Sequence, residues 1–390
     1  MIERVAVAER PDWEETAQEM GFTFHHQEGQ RYWDERAYYR FTLDEVENGV
    51  EAPSGELHQM CLALVDEVVR SEALMDRLAI PADMRDVVAR SWERQAPSLY
   101  GRFDFSYGGG GAGPAKLLEY NADTPTSIFE TALFQWRWLE DMMAAGRLPK
   151  DADQYNRLHE ALVERFGRLF TRGSLVHFAS VADHVEDRQT VRYLEDAARQ
   201  AGLDPEFVPV DRIGVDADGK FVDEAGVLIA ALFKLYPWED LLREPYAEHL
   251  GATDTIFLEP AWKAVLSNKG MLPLLWERHR GHPNLLPAAF ADDTAATAAI
   301  GSRYVRKPLF SREGWDIHLV DGSAKQSGPE GGYGEEGWIV QELAPLPVFD
   351  GGHVVIGSWI VGDEPVAMSV REDDGPITRD LARFLPHAIV

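Results

Sequence analysis

The side chains best suited to chemistry lie in one stretch, residues 100–126, which reads YGRFDFSYGGGGAGPAKLLEYNADTPT. Two strand-like runs, residues 101–107 and 115–121, flank a loop of glycines that Pro114 closes. Such a composition is typical of antiparallel strands joined by a long connection. The sequence therefore predicts a β-hairpin here.

Four polar side chains of this hairpin fall on alternating positions: Arg102, Asp104, Glu119 and Asn121. Because alternate side chains of a strand share a face, Arg102 lies beside Asp104. Glu119 and Asn121 share a face for the same reason. If the two faces coincide, the carboxylate and carboxamide oxygens suit Mg²⁺, and the arginine fork suits a transferring phosphate. A hairpin with a solvated polar face is the alternative interpretation.

The positioning elements belong to a chain of 390 residues, which is enough for two or three domains or for one elaborated domain. An apolar content of 45% can furnish a full core. The net charge of −28 argues against nucleic acid or an anionic membrane as a partner. It is compatible with a cationic substrate such as a polyamine, although an acidic surface that aids solubility explains it equally well.

The single cysteine, Cys61, excludes an intrachain disulfide and favours a reducing cytoplasm. It falls on an apolar stripe at helical spacing, which indicates core packing rather than a nucleophile. The first ten residues lack the apolar core of a signal peptide, and the longest apolar run, residues 225–233, is too short to span a bilayer. We therefore expect a soluble cytoplasmic protein.

The first part of the chain reads mainly as helices. Residues up to about 41 have no clear apolar period, which indicates an irregular arm packed on a core. Thr42 and Glu45 have the spacing of a capping box. Apolar spacing predicts helices over residues 57–78, 84–94, 128–145 and 155–170, and places Phe129, Leu133, Trp136 and Leu139 on one face of the third.

From Gly173 onward, short strands alternate with helices. Strands over 175–181, 205–210 and 226–236 and a helix over 187–201 are typical of a βαβ unit with a small parallel sheet. A helix over 267–278 should carry Lys269 in its first turn, and residues 323–337 should form a mobile segment. Further strands are predicted over 304–310, 338–343, 354–361 and 365–371. The predicted division is residues 1–172, 173–262, 263–345 and 346–390.

Several familiar site motifs are missing from the sequence. There is no G-x-x-x-x-G-K-[ST] phosphate loop, and the glycines at 108–113 lie between strands rather than before a helix. The histidines show no zinc-binding spacing, and there is no G-x-S-x-G. What remains is a dispersed set of cations and oxygen ligands, which favours a nucleotide held between two sheets: Arg102, Asp104, Glu119, Asn121, Lys269, Lys307 and Arg371.

A resemblance to a known family is more specific. It rests on segments that occur in the order RFDF, LLEYNADTPT, LYPWE, LEPAWK, SNKGMLPLLW, KPLFSREG and IGSWIV. These segments resemble the glutathionylspermidine synthase family, and the chain is most similar to its stand-alone acid–amine ligase branch. The resemblance implies an α/β (α+β) fold, an ATP-grasp amide ligase with an inserted Rossmann-like, pre-ATP-grasp βαβ domain and a mobile lid. The cysteine amidase module of the bifunctional relatives is missing from the sequence, and Cys61 cannot supply it.

The resemblance also implies ATP and Mg²⁺ as cofactors and assigns site residues. The metal ligands would be Asp104, Glu119 and Asn121, and the cations on the transferring phosphate would be Arg102 and Arg371. The cations on the other ATP phosphates would be Lys269 and Lys307. Backbone groups for adenine would come from Gln341, Glu342 and Leu343, and acidic groups on the substrate side from Glu186, Asp187 and Glu239. The S-R-E-G segment at 311–314 departs from the glycine- and asparagine-richer loop of the bifunctional enzymes.

The implied reaction joins a small-molecule carboxylate to an amine through an acyl phosphate. Two other classes stay open on the residues alone. One is a metal-dependent hydrolase that uses Asp104 and Glu119 around an activated water. The other is a non-catalytic ATP-binding protein on the same fold.

Overall fold

A computed structural model of the chain describes residues 2–27 and 29–390. Its strands are β1 (Glu3–Ala6), β2 (His26–Gln27), β3 (Gln30–Arg31), β4 (Ala37–Phe41), β5 (Tyr100–Ser106), β6 (Lys116–Asn121), β7 (Leu175–Ala179), β8 (Asp204–Phe207), β9 (Gly214–Val215), β10 (Phe221–Val222), β11 (Ala231–Lys234), β12 (Ile256–Leu258), β13 (Ala288–Phe290), β14 (Arg303–Pro308), β15 (His318–Asp321), β16 (Ala324–Ser327), β17 (Trp338–Glu342), β18 (Val348–Phe349), β19 (Gly352–Val361), β20 (Glu364–Asp373), β21 (Arg383–Leu385) and β22 (His387–Ile389).

The helices are α1 (Trp13–Glu19), α2 (Leu43–Val46), α3 (Ala52–Val68), α4 (Glu72–Arg77), α5 (Arg85–Glu93), α6 (Gln135–Ala144), α7 (Leu158–Leu169), α8 (Val185–Gln200), α9 (Trp238–Leu241), α10 (Met271–Arg278) and α11 (Thr294–Ile300). Two π-helical turns, Glu47–Glu51 and Glu130–Phe134, precede α3 and α6. Across residues 2–27 and 29–390, no helix is both long and apolar enough to cross a bilayer.

The central sheet carries the predicted hairpin. Its strand order is β21-β20-β19-β5-β6, and β18 pairs with β19. Strands β5 and β6 are antiparallel, as predicted, with Arg102 opposite Asn121 and Asp104 opposite Glu119. The pair β19–β20 is also antiparallel, and it brings Arg371 onto the sheet two strands away from Asp104.

Two further sheets flank the central one. The antiparallel sheet β13-β17-β14-β15-β16 carries Lys307 on β14 and Gln341 on β17. The parallel sheet β12-β11-β7-β8 has the predicted βαβ form, because α8 connects β7 to β8. Its strands lie between Leu175 and Leu258, within the segment predicted as 173–262. The four-part division of the chain stays a prediction.

The core has two apolar clusters. One packs α3, α4 and α10 against the central and β13–β17 sheets, and it contains the fully buried Cys61, as its stripe predicts. The other packs α6, α7 and α8 against the parallel sheet and is rich in aromatic rings. The capping box is also confirmed, because the Glu45 amide donates to the Thr42 hydroxyl and the Thr42 amide to the Glu45 carboxylate.

Several local expectations are wrong. The N-terminal arm is not irregular throughout, because β1 and β4 form a three-stranded sheet with the C-terminal β22. The helix expected over 57–78 is two helices, and Ser71 caps the second by accepting the Leu74 amide. Lys269 precedes α10 instead of lying in its first turn. Residues 323–337 contain the strand β16, which the sequence analysis does not predict, while the mobility of this segment stays a prediction. The 226–236 strand is shortened to β11.

The buried face expected for residues 128–145 is confirmed in part. Phe129 and Leu139 are buried as predicted, whereas Leu133 is half-buried, Trp136 is exposed, and Phe134 and Trp138 are fully buried instead. The π-helical turn Glu130–Phe134 interrupts the regular spacing, because its wider hydrogen bonds take up an extra residue.

Candidate active site

A cleft of about 250 Å³ opens where the three sheets meet. Its walls come from β5, β6 and β20, from β14, and from the start of α8 and α9. The sequence-predicted residues that line it are Arg102, Asp104, Glu119, Asn121, Glu186, Asp187, Glu239, Lys269, Lys307, Leu343 and Arg371. The fold thus brings together residues that are up to 269 positions apart, Arg102 and Arg371.

Asp104 is the centre of the group on the hairpin. Arg102 donates to both carboxylate oxygens of Asp104, from Nε at 2.8 Å and from Nη2 at 3.2 Å. Arg371 Nη2 donates to Oδ2 at 2.6 Å, and Asn121 Nδ2 donates to the same oxygen at 3.1 Å. Arg102 Nη1 also donates to the Thr126 carbonyl at 3.1 Å, which ties the strand to the loop after β6. The two hairpin faces therefore coincide, which is the condition that the sequence analysis left open.

Gly357 on β19 makes room for this arrangement. It lies opposite Asp104, and a Cβ at this position would come within 2.9 Å of Arg102 Cδ and 2.6 Å of the Ser369 hydroxyl. Real Cβ atoms do not approach other heavy atoms so closely. The absence of a side chain therefore lets Arg102 lie across β19 toward Asp104.

The two predicted lysines enter from the other side of the cleft. Lys269 Nζ lies 3.3 Å from Glu119 Oε2 and donates to the Ser311 carbonyl at 2.6 Å. Lys307 Nζ donates to the Leu118 carbonyl at 2.8 Å and to Gln341 Oε1 at 2.9 Å. Both lysines are buried, so each is held in one place before any ligand arrives.

The cations keep the two carboxylates ionised. Burial alone would raise the pKa of Asp104, but Arg102 and Arg371 outweigh it and lower that pKa. The pKa of Glu119 is lowered as well, because Lys269 and other cations outweigh burial. Burial lowers the pKa of Lys307 to about 8. Two carboxylates thus face four cationic side chains, and this excess of positive charge suits a polyphosphate.

The donor set fits Mg²⁺ in its chemistry. Among residues 2–27 and 29–390 no group of three or more histidine, cysteine, aspartate or glutamate side chains is placed to hold a metal. The predicted set is instead two ionised carboxylates and one carboxamide beside a phosphate-seeking surface, which is how Mg²⁺ sites with substrate phosphates are built. Asn121 presents Nδ2 to Asp104 and Glu119, so its amide would turn to offer oxygen to a metal.

The far end of the cleft is acidic. Glu186 and Asp187 lie in the first turn of α8. Burial raises the pKa of both carboxyls, that of Glu186 to about 8. Glu130 lies close by, and burial raises its pKa to about 7. Neither Glu130 oxygen has a hydrogen-bond partner within the described part of the chain. Glu130 and Glu186 can therefore hold or release protons near neutral pH.

Glu239 pairs with a residue that the sequence analysis does not assign. Arg312 Nη2 donates to Glu239 Oε1 at 3.1 Å, and Arg312 belongs to the loop between β14 and β15. We call residues 311–316 the lid loop. Gly314 of this loop, with φ +74°, packs so closely that a Cβ would lie 2.8 Å from the Thr378 carbonyl oxygen. The only sequence signal for Arg312 was the S-R-E-G segment at 311–314, which departs from the corresponding loop of the bifunctional enzymes.

The strand segment expected to meet adenine is engaged within the protein. The Glu342 and Leu343 amides donate to the carbonyls of Pro287 and Arg303, at 2.7 and 3.1 Å. The Gln341 side chain holds Lys307 and donates to the Leu117 carbonyl at 3.1 Å. Leu343 lines the cleft, while Gln341 and Glu342 are not among its lining residues. Recognition of adenine by this segment stays a prediction.

Other residues of the cleft wall escaped the sequence analysis. Tyr32 reaches it from the N-terminal arm, and Asp123 from the loop after β6. Asp123 forms a buried ion pair with Lys234, at 2.7 Å from Oδ1 to Nζ. Asp123 lies in the segment LLEYNADTPT, and Lys234 lies near the end of the strand predicted over 226–236. Neither spacing nor charge distinguishes these two residues from ordinary surface residues in the sequence.

Comparisons with known proteins agree with the resemblance. The family model described as "Glutathionylspermidine synthase preATP-grasp" matches residues 4–390. A Haemophilus influenzae protein with the provisional name acid–amine ligase is 38% identical over 395 residues, which cover 98% of each chain. Trypanothione synthetase of Crithidia fasciculata is 30% identical over 83% of this chain and 52% of that protein. The bifunctional glutathionylspermidine synthetase/amidase of Escherichia coli is 26% identical, over 90% of this chain and 60% of that protein.

One solved structure shows the fold. A glutathione synthetase-like effector from Globodera pallida, in its apo form, matches with a TM-score of 0.57 at 12% identity and covers 90% of this chain and 89% of that one. At this identity the likeness concerns the fold alone. The predicted fold class, an α/β protein of the ATP-grasp type, is confirmed. With a family model that spans residues 4–390 and a relative that matches along nearly its whole length, the chain belongs to the glutathionylspermidine synthase family.

Proposed function

We propose that the protein is an ATP- and Mg²⁺-dependent acid–amine ligase. The observation that carries this proposal is the charge pattern of this cleft. Four cationic side chains meet at one end of it: Arg102, Arg371, Lys269 and Lys307. Acidic side chains meet at the other end: Glu186, Asp187 and Glu239. A polyphosphate fits the first end and an amine the second, and the family's named relatives are ligases.

The proposed reaction has two steps. A substrate carboxylate attacks the γ-phosphorus of ATP, so that ADP leaves and an acyl phosphate forms. The amine nitrogen then attacks the acyl carbon, inorganic phosphate leaves, and the nitrogen loses a proton as the amide forms. Phosphoryl transfer needs little covalent help from a protein, so catalysis comes from positioning and from neutralising charge.

The residues of the cleft have separate tasks in this proposal. Arg102 and Arg371 stabilise the charge on the transferring phosphate, and Lys269 and Lys307 bind the other phosphates of ATP. Asp104, Glu119 and Asn121 would hold Mg²⁺, which when bound neutralises phosphate charge. All of these assignments draw on the positions observed in the cleft together with the family resemblance.

Exclusion of water from the acyl phosphate is the task of the lid loop. Water would otherwise hydrolyse the intermediate. The loop is held across the cleft by the Arg312–Glu239 contact and by the packing of Gly314 against Thr378. An open position of this loop would let substrates enter.

The substrate side is proposed as follows. Glu186, Asp187 and Glu239 would bind the amine, and the names of the relatives make glutathione and polyamines the first compounds to test. Cys61 takes no part, because it is fully buried and burial raises the pKa of its thiol. A reducing cytoplasm is the compartment that suits an enzyme of this kind.

The test is ADP release over a matrix of acids and amines, with mass spectrometry of the products. The matrix includes glutathione, γ-glutamyl peptides and simple dicarboxylates, each with polyamines, diamines and amino acids. We expect ADP release that requires both an acid and an amine, together with a product whose mass equals their sum minus water. ADP release without either compound would indicate a hydrolase. ATP binding with no turnover in any combination would indicate a non-catalytic nucleotide-binding protein.

A further inference from the structure

Asp123 occupies a special place between the two ends of the cleft. It follows Asn121 by two residues, it lines the cleft wall, and it is 1% exposed. A buried carboxylate needs partners, and each of its oxygens has one in another part of the chain. The partners are therefore more informative than the charge itself.

The first partner belongs to the parallel sheet. Lys234, the last residue of β11, donates from Nζ to Asp123 Oδ1 at 2.7 Å and to the Tyr236 carbonyl at 2.8 Å. Its ammonium also lies over the Trp238 ring, 4.4 Å from the centroid. Lys234 is 1% exposed, so the loop after the hairpin is joined to β11 by an ion pair that water does not reach.

The second partner is the first amide of α9. Trp238 N donates to Asp123 Oδ2 at 2.8 Å. The residue before it, Pro237, provides no side-chain cap, so Asp123 fulfils the role of an N-cap from 115 residues away in sequence. The next residue of that helix is Glu239, which lines the cleft and binds Arg312 of the lid loop.

These contacts form one continuous path. It runs from the hairpin with Asp104, Glu119 and Asn121, through Asp123, to α9 with Glu239 and on to the lid loop. The carboxylate of Asp123 is the point where the path leaves the central sheet. Removing it frees the start of α9 from the hairpin, while the phosphate-binding cations keep their own contacts.

We propose that Asp123 is a positioning residue, which together with Lys234 holds Glu239 and the lid contact in register with the phosphate end of the cleft. It acts through α9 and touches neither ATP nor the reacting atoms. This inference rests on the proposed function for its kinetic consequence, but its structural consequence does not depend on any substrate.

The test uses a charge-neutral double variant, Asp123→Ala with Lys234→Met. Alanine offers no acceptor to the Trp238 amide, so the contact with α9 is removed. No buried charge is left without a partner, so the fold should survive. The matched control is Arg10→Met with Glu35→Gln, which removes another buried ion pair, of 2.8 Å, from outside the cleft wall.

Three measurements are made on each full-length variant. Calorimetry gives the Kd for Mg·ATP, crystallography gives the Glu239–Arg312 contact, and ADP release gives kcat and the KM for the best amine of the matrix. We expect a Kd for Mg·ATP within about 3-fold of the original protein in every variant. In the double variant of Asp123 and Lys234 we expect the Glu239–Arg312 contact to be lost and the KM for the amine to rise 10-fold or more. The control should change neither.

A folded double variant that keeps the Glu239–Arg312 contact overturns the proposal, and so does an unchanged KM for the amine. If no acid and amine pair is turned over, the ligase proposal fails, but the crystal structures still decide whether Asp123 positions α9. A purely structural role would lower the thermal stability of the Asp123 and control variants alike and leave the KM for the amine unchanged. The two explanations are thus separated.

Discussion

Replacement of Arg371 tests the proposed catalytic end of the cleft most directly. Its Nη2 donates to Asp104 Oδ2 at 2.6 Å, and its buried Nε has no partner within the described residues. A guanidinium fixed by one contact, with another N–H free, is prepared to receive a phosphate oxygen. If it stabilises charge on the transferring phosphate, the effect of its loss should appear in kcat.

The magnitude follows from the geometry. Loss of one preorganised donor from a closed site costs about 10²–10³ in rate, or about 2.7–4 kcal/mol of transition-state stabilisation. The cost in folding is smaller, because Asp104 keeps both bonds from Arg102 and is not left unpaired. We estimate about 1–3 kcal/mol for one charge-assisted hydrogen bond, below the about 5–15 kcal/mol that stabilises a typical domain. Arg371→Ala should therefore fold and bind Mg·ATP with modestly changed affinity.

The assay is ADP release at saturating substrates, with the Kd for Mg·ATP measured in parallel. Arg371→Lys should recover little of the lost rate, because a point charge cannot reproduce the two-pronged contact. Arg383→Ala is the matched control, since Arg383 lies on the same sheet but pairs with Glu372 and Asp374. A kcat for Arg371→Ala within about 3-fold of the original protein would refute the assignment. So would a closed ATP-analogue complex with Arg371 more than about 6 Å from the γ-phosphate, outside hydrogen-bond reach.

Three further predictions concern the metal ligands, a lysine and a carboxyl of the cleft. Glu119→Gln and Asn121→Ala should abolish turnover and the Mg²⁺-dependent part of the ATP thermal shift while the unliganded protein stays folded; wild-type rates in both would favour a solvated hairpin. Because burial lowers the pKa of Lys307 to about 8, ATP should bind more weakly as the pH rises above this value. Binding near pH 8 should take up protons, which calorimetry in different buffers detects, and Lys307→Met should remove this uptake. Burial raises the pKa of Glu186 from 4.5 to about 8, so between these pH values the folded state holds a proton that the unfolded state has lost, and the protein loses stability as the pH rises through this range. Glu186→Gln should therefore raise the melting temperature most near pH 8–9. An equal gain at about pH 5 would contradict the assignment.

The hairpin shows how far the sequence alone leads. Alternation was enough to predict that Arg102 shares a face with Asp104, and Glu119 with Asn121, because strand periodicity is local. That Asp104 lies opposite Glu119 depends on the register between β5 and β6, which alternation left open. The contact of Arg371 with Asp104 depends on the pairing of β19 with both β5 and β20, which no local pattern contains. The sequence alone placed Arg371 only in a dispersed set of cations, and its role on the transferring phosphate came from the family resemblance.

The errors have local physical causes. Apolar spacing could not reveal the π-helical turn before α6, since a single extra residue in a turn leaves the composition unchanged while it interrupts the period of the apolar stripe. Nor could it place the break between α3 and α4, where Ser71 offers a cap that competes with a continuous helix. The N-terminal arm was misread because β1 and β4 gain their order from the C-terminal β22, more than 340 residues away.

The net charge of −28 is compatible with a cationic substrate and equally with an acidic surface that aids solubility, and it does not indicate where a nucleotide would bind. The structure resolves this by separating the charges. Arg102, Lys269, Lys307 and Arg371 converge in one place, while most acidic residues remain on the outer surface. At physiological ionic strength surface charges are screened beyond about 8 Å, so the acidic exterior should only weakly oppose the approach of an anionic ligand. Under the proposed function, the four cations of the cleft would decide the binding of ATP. The sign of the net charge of the whole chain is therefore a poor guide to the ligand of a closed cleft. The sign of the charged side chains buried in the cleft is a better guide.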